Sequence, residues 1–206
     1  MASRLDYDLI VFGDEVPGVL ALVAAGREFR RRTQGKGLRS LLMVPGRYDW
    51  GVGGHLVRGQ LAYLDRTHLT RQHQTQYKLD RYGAPAAIYT EFLRRAGVRE
   101  VGLDPQAANR ALREMLAEVG AMVLDRVQVS GVTKVGDRLT AIALTRGETY
   151  TAPVFIDCTV HGELAQWAGV PKVAGWGLLG CPQAALPVSL VFETTGLTTG
   201  FLQALE

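Results

Sequence analysis

Apolar residues first cluster at Leu9-Ile10-Val11-Phe12, a short run closed by Gly13. A run this short with no polar member suits a strand buried on both faces, as in a parallel sheet. Pro17 and Gly18 follow, and Leu20, Val23, Ala24 and Phe29 then keep roughly helical spacing as far as Arg30, Arg31 and Arg32. Proline is tolerated in the first turn of a helix because its missing N–H has no intrahelical partner there. Positive charge suits the other end, where the helix dipole is negative. Thr33 to Gly37 is a breaker, and Leu41-Leu42-Met43-Val44 repeats the buried-strand pattern up to Pro45-Gly46. The opening is a βαβ unit.

Residues 47–83 give less. GVGGHLVRGQ is a glycine-rich loop, and 61–82 carry Arg, Gln, His and Thr without a clear period. Ala86 to Ala96 reads as a helix ended by Gly97. Asp104 and Pro105 open a second, with Ala108, Leu112, Met115, Leu116 and Val119 as its apolar stripe and Gly120 as its stop. The period then changes to two. Met122 to Leu124, Val127 to Val135 and Leu139 to Thr145 read as strands of an antiparallel meander, with turns at Gly136-Asp137 and Arg146-Gly147. Val154-Phe155-Ile156 returns to the parallel-strand pattern, and a helix from about Gly162 to Ala168 stops at Gly169. Leu186 to Phe192 reads as a further strand and Thr199 to Glu206 as a helix beginning. The expected fold class is α/β, a parallel sheet with an inserted antiparallel β-meander. Residues 1–175 make the main domain, with the meander at about 121–150. Residues 176–206 start a truncated second domain, so the chain reads as part of a longer protein.

Composition narrows the classes. Hydrophobic residues make up 47% and charged residues 21% of the 206, which excludes a disordered chain. A formal charge of +3 is too small to indicate nucleic acid. Asp6 and Asp8 interrupt the start before any signal-like apolar core forms, and the run from Val16 to Ala25 is too short to span a bilayer. Cys158 and Cys181 cannot make a disulfide framework. A soluble, cytoplasmic protein without membrane or nucleic-acid partners is expected. The 24 glycines exceed the usual share of about 7%, which suits backbone that approaches something closely.

The chemistry-bearing candidates are loops. Gly13-Asp14-Glu15-Val16-Pro17-Gly18 lies between strand and helix, where G-x-G-x-x-G binds dinucleotides. Its outer glycines are present, and Glu15 replaces the middle one that lets backbone approach a pyrophosphate. By itself the turn leaves nucleotide binding and a plain βαβ connection open. The second strand ends in Val44-Pro45-Gly46, without the acid that often receives ribose hydroxyls. Gly51, Gly53 and Gly54 expose backbone, and His55 is a donor candidate or an ordinary structural histidine. Asp157 and Glu163 follow the late strand and each alone could be a cap or an ion-pair acid. His68 and His73 miss helical zinc spacing, and neither CxxC nor G-x-S-x-G occurs. The arginines from 27 to 39 read as a solvated helix end, and no metal site or catalytic residue emerges.

Taken in order, DLIVFGxxxPG, the GxGG loop, a helix opening on Asp-Pro, the meander and FIDCTxxGELAxWAGVP resemble the FAD-dependent oxidoreductases of the two-dinucleotide-binding-domain flavoprotein type. The late motif there usually reads I-D-A-T-G-D-G-D-L-A-x-x-A-G. Ile156, Asp157, Thr159, Gly162, Leu164, Ala165, Ala168 and Gly169 match it, Glu163 stands for its last acid, and Cys158, Val160 and His161 depart from it. The resemblance implies a Rossmann-like FAD/NAD(P)-binding fold, noncovalent FAD as cofactor, and oxidoreductase chemistry on an unidentified small molecule. It places Gly13, Asp14, Glu15, Val16, Pro17 and Gly18 at the FAD pyrophosphate, and Pro45 and Gly46 near the adenosine ribose. Gly53, Gly54 and His55 approach pyrophosphate and flavin, the backbone of Val129 contacts adenine, and Thr159 and Gly162 close over the nucleotide half. Such proteins usually continue into a substrate domain and a segment that covers the isoalloxazine, so these 206 residues are expected to hold little FAD on their own. The rival readings are a nicotinamide-dependent reductase and a non-catalytic nucleotide-binding or assembly protein with a degenerate fingerprint.

Overall fold

The computed structural model describes residues 4–62, 64, 87–98, 102–172 and 180–181. The chain divides into two compact units, Met1–Lys172 and Val173–Glu206, and the elements described belong to the first. The strand expected at Leu186 to Phe192 and the helix expected from Thr199 lie outside the described residues, as do His68 and His73.

The elements run β1 (Arg4–Asp6), β2 (Leu9–Phe12), α1 (Val16–Arg32), β3 (Ser40–Val44), a 3-10 turn (Tyr48–Trp50), α2 (Gly54–Val57), α3 (Ala87–Arg95), α4 (Pro105–Val119), β4 (Met122–Asp125), β5 (Val129–Val135), β6 (Arg138–Leu144), β7 (Thr149–Thr151), β8 (Phe155–Asp157) and α5 (Glu163–Trp167). One sheet has the order β4-β3-β2-β8 and is parallel throughout, with Ile10 opposite Leu41 on one side and Phe155 on the other. The second has the order β1-β7-β6-β5.

Two-sided burial of β2 and β3 follows from these layers. Leu9, Val11, Leu42 and Val44 face the helices, packing with Val19, Leu22 and Val23 of α1 and Leu112, Met115 and Leu116 of α4. Ile10, Phe12, Leu41 and Met43 face the meander, against Ile142, Leu144 and Tyr150. Successive strand side chains point to opposite faces, so a continuous apolar run requires cover on both.

The meander differs from expectation in one strand. Met122 to Leu124 belongs to the parallel sheet, with Leu42 opposite Val123. Alternating apolar residues suit either kind of sheet, and the crossover through α4 decides it, because β4 returns in the direction of β3. A further strand, β1, pairs in parallel with β7 (Leu5 opposite Tyr150). Its polar Arg4 and Asp6 gave no strand signal. The late parallel strand begins at Phe155 rather than Val154, which is exposed.

Helix α4 has the expected caps. Asp104 accepts a hydrogen bond from Gln106 N at 2.8 Å, and Gly120 takes the left-handed conformation (φ 68°). Arg30, Arg31, Arg32 and Arg39 are exposed, as expected of a solvated helix end, and Arg27 is the exception. Arg27 donates to Glu91 (2.6 Å) and Glu118 (2.7 Å), tying α1 to α3 and α4, and Arg95 reaches both acids. These partly exposed pairs contribute about 0–1 kcal/mol each, whereas each fully buried Leu or Val contributes about 1.5–3 kcal/mol. Apolar packing therefore holds α1, and the ion pairs fix its angle.

Arg27 holds the Glu91 carboxyl down, from 4.5 to about 2. A carboxyl depressed in the folded state adds stability above its unfolded pKa, and that stability is lost as pH falls through the folded value. Resistance to urea should therefore drop between pH 4.5 and about 2. Glu91→Gln should flatten that part of the profile, as followed by urea denaturation at a series of pH values.

Candidate functional site

The carboxyl ends of β2, β3 and β8 lie side by side, and the chain order reverses between β2 and β8. Open α/β sheets bind ligands outside the carboxyl ends of their strands at such a point. Gly13 leaves β2 with φ +95°, and its N–H donates to Met43 O at 2.9 Å. Cys158 N donates to Phe12 O at 2.7 Å. A side chain at Gly13 would collide with the Cys158 carbonyl and would lie 2.6 Å from Thr159 N. One at Gly18 would meet Cys158 Cβ at 2.5 Å and Sγ at 2.8 Å. Both outer glycines of the turn thus serve close packing of β2 and α1 on the segment after β8. Burial and then the negative charges of Asp157 and Glu15 push the Cys158 thiol up, which keeps it protonated at neutral pH and fits a packing residue.

Helix α1 begins at Val16, with Pro17 in its first turn and Glu15 as its N-cap. The Glu15 carbonyl accepts from Gly18 N (2.9 Å) and Val19 N (3.2 Å), while its side chain makes no cap bond. That carboxylate turns instead to the loop at 51–58. His55 N donates to both of its oxygens at 3.2 Å, and His55 Nδ1 lies 2.9 Å from Oε1. An ionised carboxylate only accepts, so Nδ1 carries the proton in this contact. Gly54, at φ +48°, leaves the space: a side chain there would overlap the Glu15 carboxylate.

The neighbouring acid is also engaged. Asp14 is 3% exposed, accepts from Gly53 N at 3.3 Å, and receives both terminal nitrogens of Arg58, Nη2 at 2.7 Å from Oδ1. Arg58 Nη1 also donates to Gly51 O at 2.9 Å. The loop is held from behind by Asn109 of α4, whose Oδ1 accepts from Val52 N (3.1 Å) and Arg113 Nε (2.9 Å). No local pattern signals Arg58 or Asn109, since Arg58 finds Asp14 and Asn109 finds Val52 across dozens of residues.

The structure brings Gly13, Asp14, Glu15, Val16, Pro17 and Gly18 together with Gly53, Gly54 and His55, and sets Thr159 beside Gly13. Thr159 Oγ1 donates to Asp157 Oδ1 (2.7 Å) and accepts from Glu163 N (2.8 Å). Gly162, at φ 63°, precedes α5, and Asp157 Oδ2 accepts from Ala165 N at 2.8 Å. Asp157 therefore shapes the segment after β8. Pro45 and Gly46 follow β3, where Gly46 O accepts from Arg126 N (2.9 Å) and the Gly46 Cα faces the Arg58 guanidinium. The acid missing after Val44 has a neighbour at the end of β4: Asp125 sits opposite Val44, and its Oδ2 accepts from Tyr48 N at 3.1 Å. Val129 opens β5, half-buried, opposite Leu144.

Comparison with known proteins decides the family. The family model described as FAD dependent oxidoreductase matches residues 8–204. The chain belongs to that family. FAD is the family's cofactor, and the fold is the Rossmann-like α/β arrangement of its members. Among solved structures, the THI4 protein of Thermovibrio ammonificans is 17% identical with a TM-score of 0.52, covering 82% of this chain and 66% of its own. A geranylgeranyl bacteriochlorophyll reductase-like protein from Thermoplasma acidophilum is 18% identical with a TM-score of 0.51, covering 83% of this chain and 43% of its own. L-proline dehydrogenase from P. horikoshii is 12% identical with a TM-score of 0.49, covering 83% of this chain and 58% of its own. The chain thus spans between 43% and 66% of these proteins' lengths. No curated protein matches it.

The residues present fit the flavin dinucleotide in their scaffold. Gly13 and Gly18 make the close approaches that the turn needs, Gly54 leaves room for the Glu15 carboxylate, and Gly53 N donates to Asp14. The middle position of the fingerprint is where this chain departs from the family pattern. Two substitutions check this geometry by chemical denaturation. Gly18→Val should destabilise the fold by about 1–3 kcal/mol through overpacking against Cys158. Asp14→Ala should cost roughly 1.5–3 kcal/mol, the value of a charge-assisted bond lost from Arg58.

Proposed function

We propose that this chain forms the FAD-binding portion of an oxidoreductase and seats the dinucleotide at the carboxyl edge of the parallel sheet. The observation that carries this reading is the meeting there of three segments distant in sequence. They are the turn from Gly13 to Gly18, the loop from Gly51 to Arg58, and the backbone at Cys158 and Thr159. In this reading the turn and Gly53, Gly54 and His55 approach the pyrophosphate. Pro45 and Gly46 flank the adenosine ribose, the backbone of Val129 meets adenine, and Thr159 and Gly162 border the nucleotide half. When bound, FAD supplies the hydride or electron transfer, and the protein binds, orients and tunes it. Asp157 contributes by fixing the bend from Thr159 to Ala165. Asn109 and Arg58 contribute by holding the glycine loop in place.

The partners proposed are a small-molecule substrate and an electron acceptor. The net charge of +3 supports neither nucleic acid nor an anionic membrane surface as a partner. A cytoplasmic location is proposed on the unpaired state of Cys158 and Cys181. Among the described residues, no helix is long and apolar enough to cross a membrane.

Flavin fluorescence tests the reading. Titrating the protein into FAD should give weak but saturable quenching, as expected of these 206 residues alone, and ADP should reverse it by competition. Binding of NADH or NADPH with no response to FAD would move the assignment to a nicotinamide-dependent reductase.

A further inference from the structure

We propose that Glu15 sets the dinucleotide affinity of this chain. Its carboxylate acts as a latch across the fingerprint turn, holding donors that a diphosphate would otherwise receive. The proposal rests on the flavin reading above and adds to it a residue that opposes the ligand.

Three observations carry it. First, Glu15 occupies the middle position of the fingerprint yet does not point away from the crevice. Its two oxygens accept His55 N at 3.2 Å each, and Oε1 lies 2.9 Å from His55 Nδ1. Second, the fit is reciprocal, because Gly54 at φ +48° leaves the volume that the carboxylate fills, and any side chain there would collide with it. Third, the two acids of the turn differ in how far they are neutralised. Asp14 is buried and paired by both terminal nitrogens of Arg58, so its charge is met. Glu15 is hydrogen-bonded by His55, whose side chain is 59% exposed, while the Arg58 hydrogen bonds go to Asp14 and Gly51 and its charge reaches Glu15 only through space.

A diphosphate brought to this turn meets the Glu15 charge at short range, and like charges close together in a partly buried site repel. It also finds the His55 donors already satisfied. Seating it requires the carboxylate to leave His55 and the turn to open toward the loop, while Asp14 and Arg58 keep turn and loop joined. The latch therefore lowers affinity for ligands that carry a diphosphate and leaves adenosine, which carries none, unaffected.

The test is binding by the 206-residue chain, measured by fluorescence and by calorimetry, without reference to turnover. FAD, ADP and adenosine are compared on the unsubstituted protein, on Glu15→Gly and on Glu15→Gln, with folding of each checked by thermal unfolding. Glu15→Gly removes the whole side chain. Glu15→Gln keeps its size, so loss of charge is read separately from loss of volume. The expected result is that Glu15→Gly binds FAD and ADP at least tenfold more tightly than the unsubstituted protein, about 1.4 kcal/mol. Glu15→Gln should fall between them, and adenosine should bind all three alike. Equal FAD affinity in all three proteins would overturn the latch and leave the flavin reading standing. A parallel change in adenosine affinity would also overturn it, because the effect would then be general loosening of the turn. Absence of FAD binding by every one of them would remove the flavin reading and the latch together.

Discussion

Gly13 and Gly18 meet the segment after β8 at distances that leave no room for a β-carbon, and the arrangement of the first unit depends on this approach. It lets β2 and β8 run side by side as parallel strands while α1 leaves β2 at once and lies over them. A side chain at Gly13 would have to move the backbone of Cys158 and Thr159, and one at Gly18 would have to displace Cβ of Cys158, which rotation of that side chain cannot move. Once the turn is pressed against Cys158 and Thr159, the start of α1 is fixed. The loop carrying Gly53 and His55 then has one place to dock, on the acids at 14 and 15.

The layers on either side make that approach rigid. Helices α1 and α4 cover one face of β2 and β3, and the meander covers the other. Charge has a smaller part in stability and a larger one in placement. Arg27 joins three helices at their surface, and Arg58 joins the turn to the loop at the crevice. In both places an arginine fork engages carboxylates from elements that share no sequence neighbourhood.

Much of this was legible in the sequence where local chemistry is decisive. The runs at Leu9 and Leu41 fixed two parallel strands, and Asp104, Pro105 and Gly120 delimited α4, because burial on two faces and helix capping leave marks on neighbouring residues. Of the candidate site the sequence marks positions alone: Gly13, Gly18, Gly53 and Thr159 stand in the motifs that carry the resemblance, and the fold brings their segments together. What was illegible is long-range. Met122 to Leu124 alternates like a meander strand, and only the direction of return from α4 assigns it to the parallel sheet. Arg4 to Asp6 becomes a strand because β7 offers it an edge. The Glu15 side chain could point anywhere until the loop containing Gly54 was in place, and Arg58 had no visible reason to seek Asp14.

The pairing of β2 with β8 also bears on how the chain reaches this structure. Partners β2 and β3 are joined through α1 and can meet early, whereas Ile10 and Phe155 are separated by nearly the whole unit. The same holds for Leu5 and Tyr150 in the other sheet. Contacts this distant close late and slow folding. During synthesis the free edge of β2, among the most apolar segments of the protein, has to wait for almost the last strand of the unit to emerge. Until then it presents unpaired backbone of the kind that draws strands from other molecules. The strand at the centre of the finished sheet is thus its most vulnerable edge while the chain is being made, and prompt docking of α1 over β2 and β3 is the protection the sequence provides.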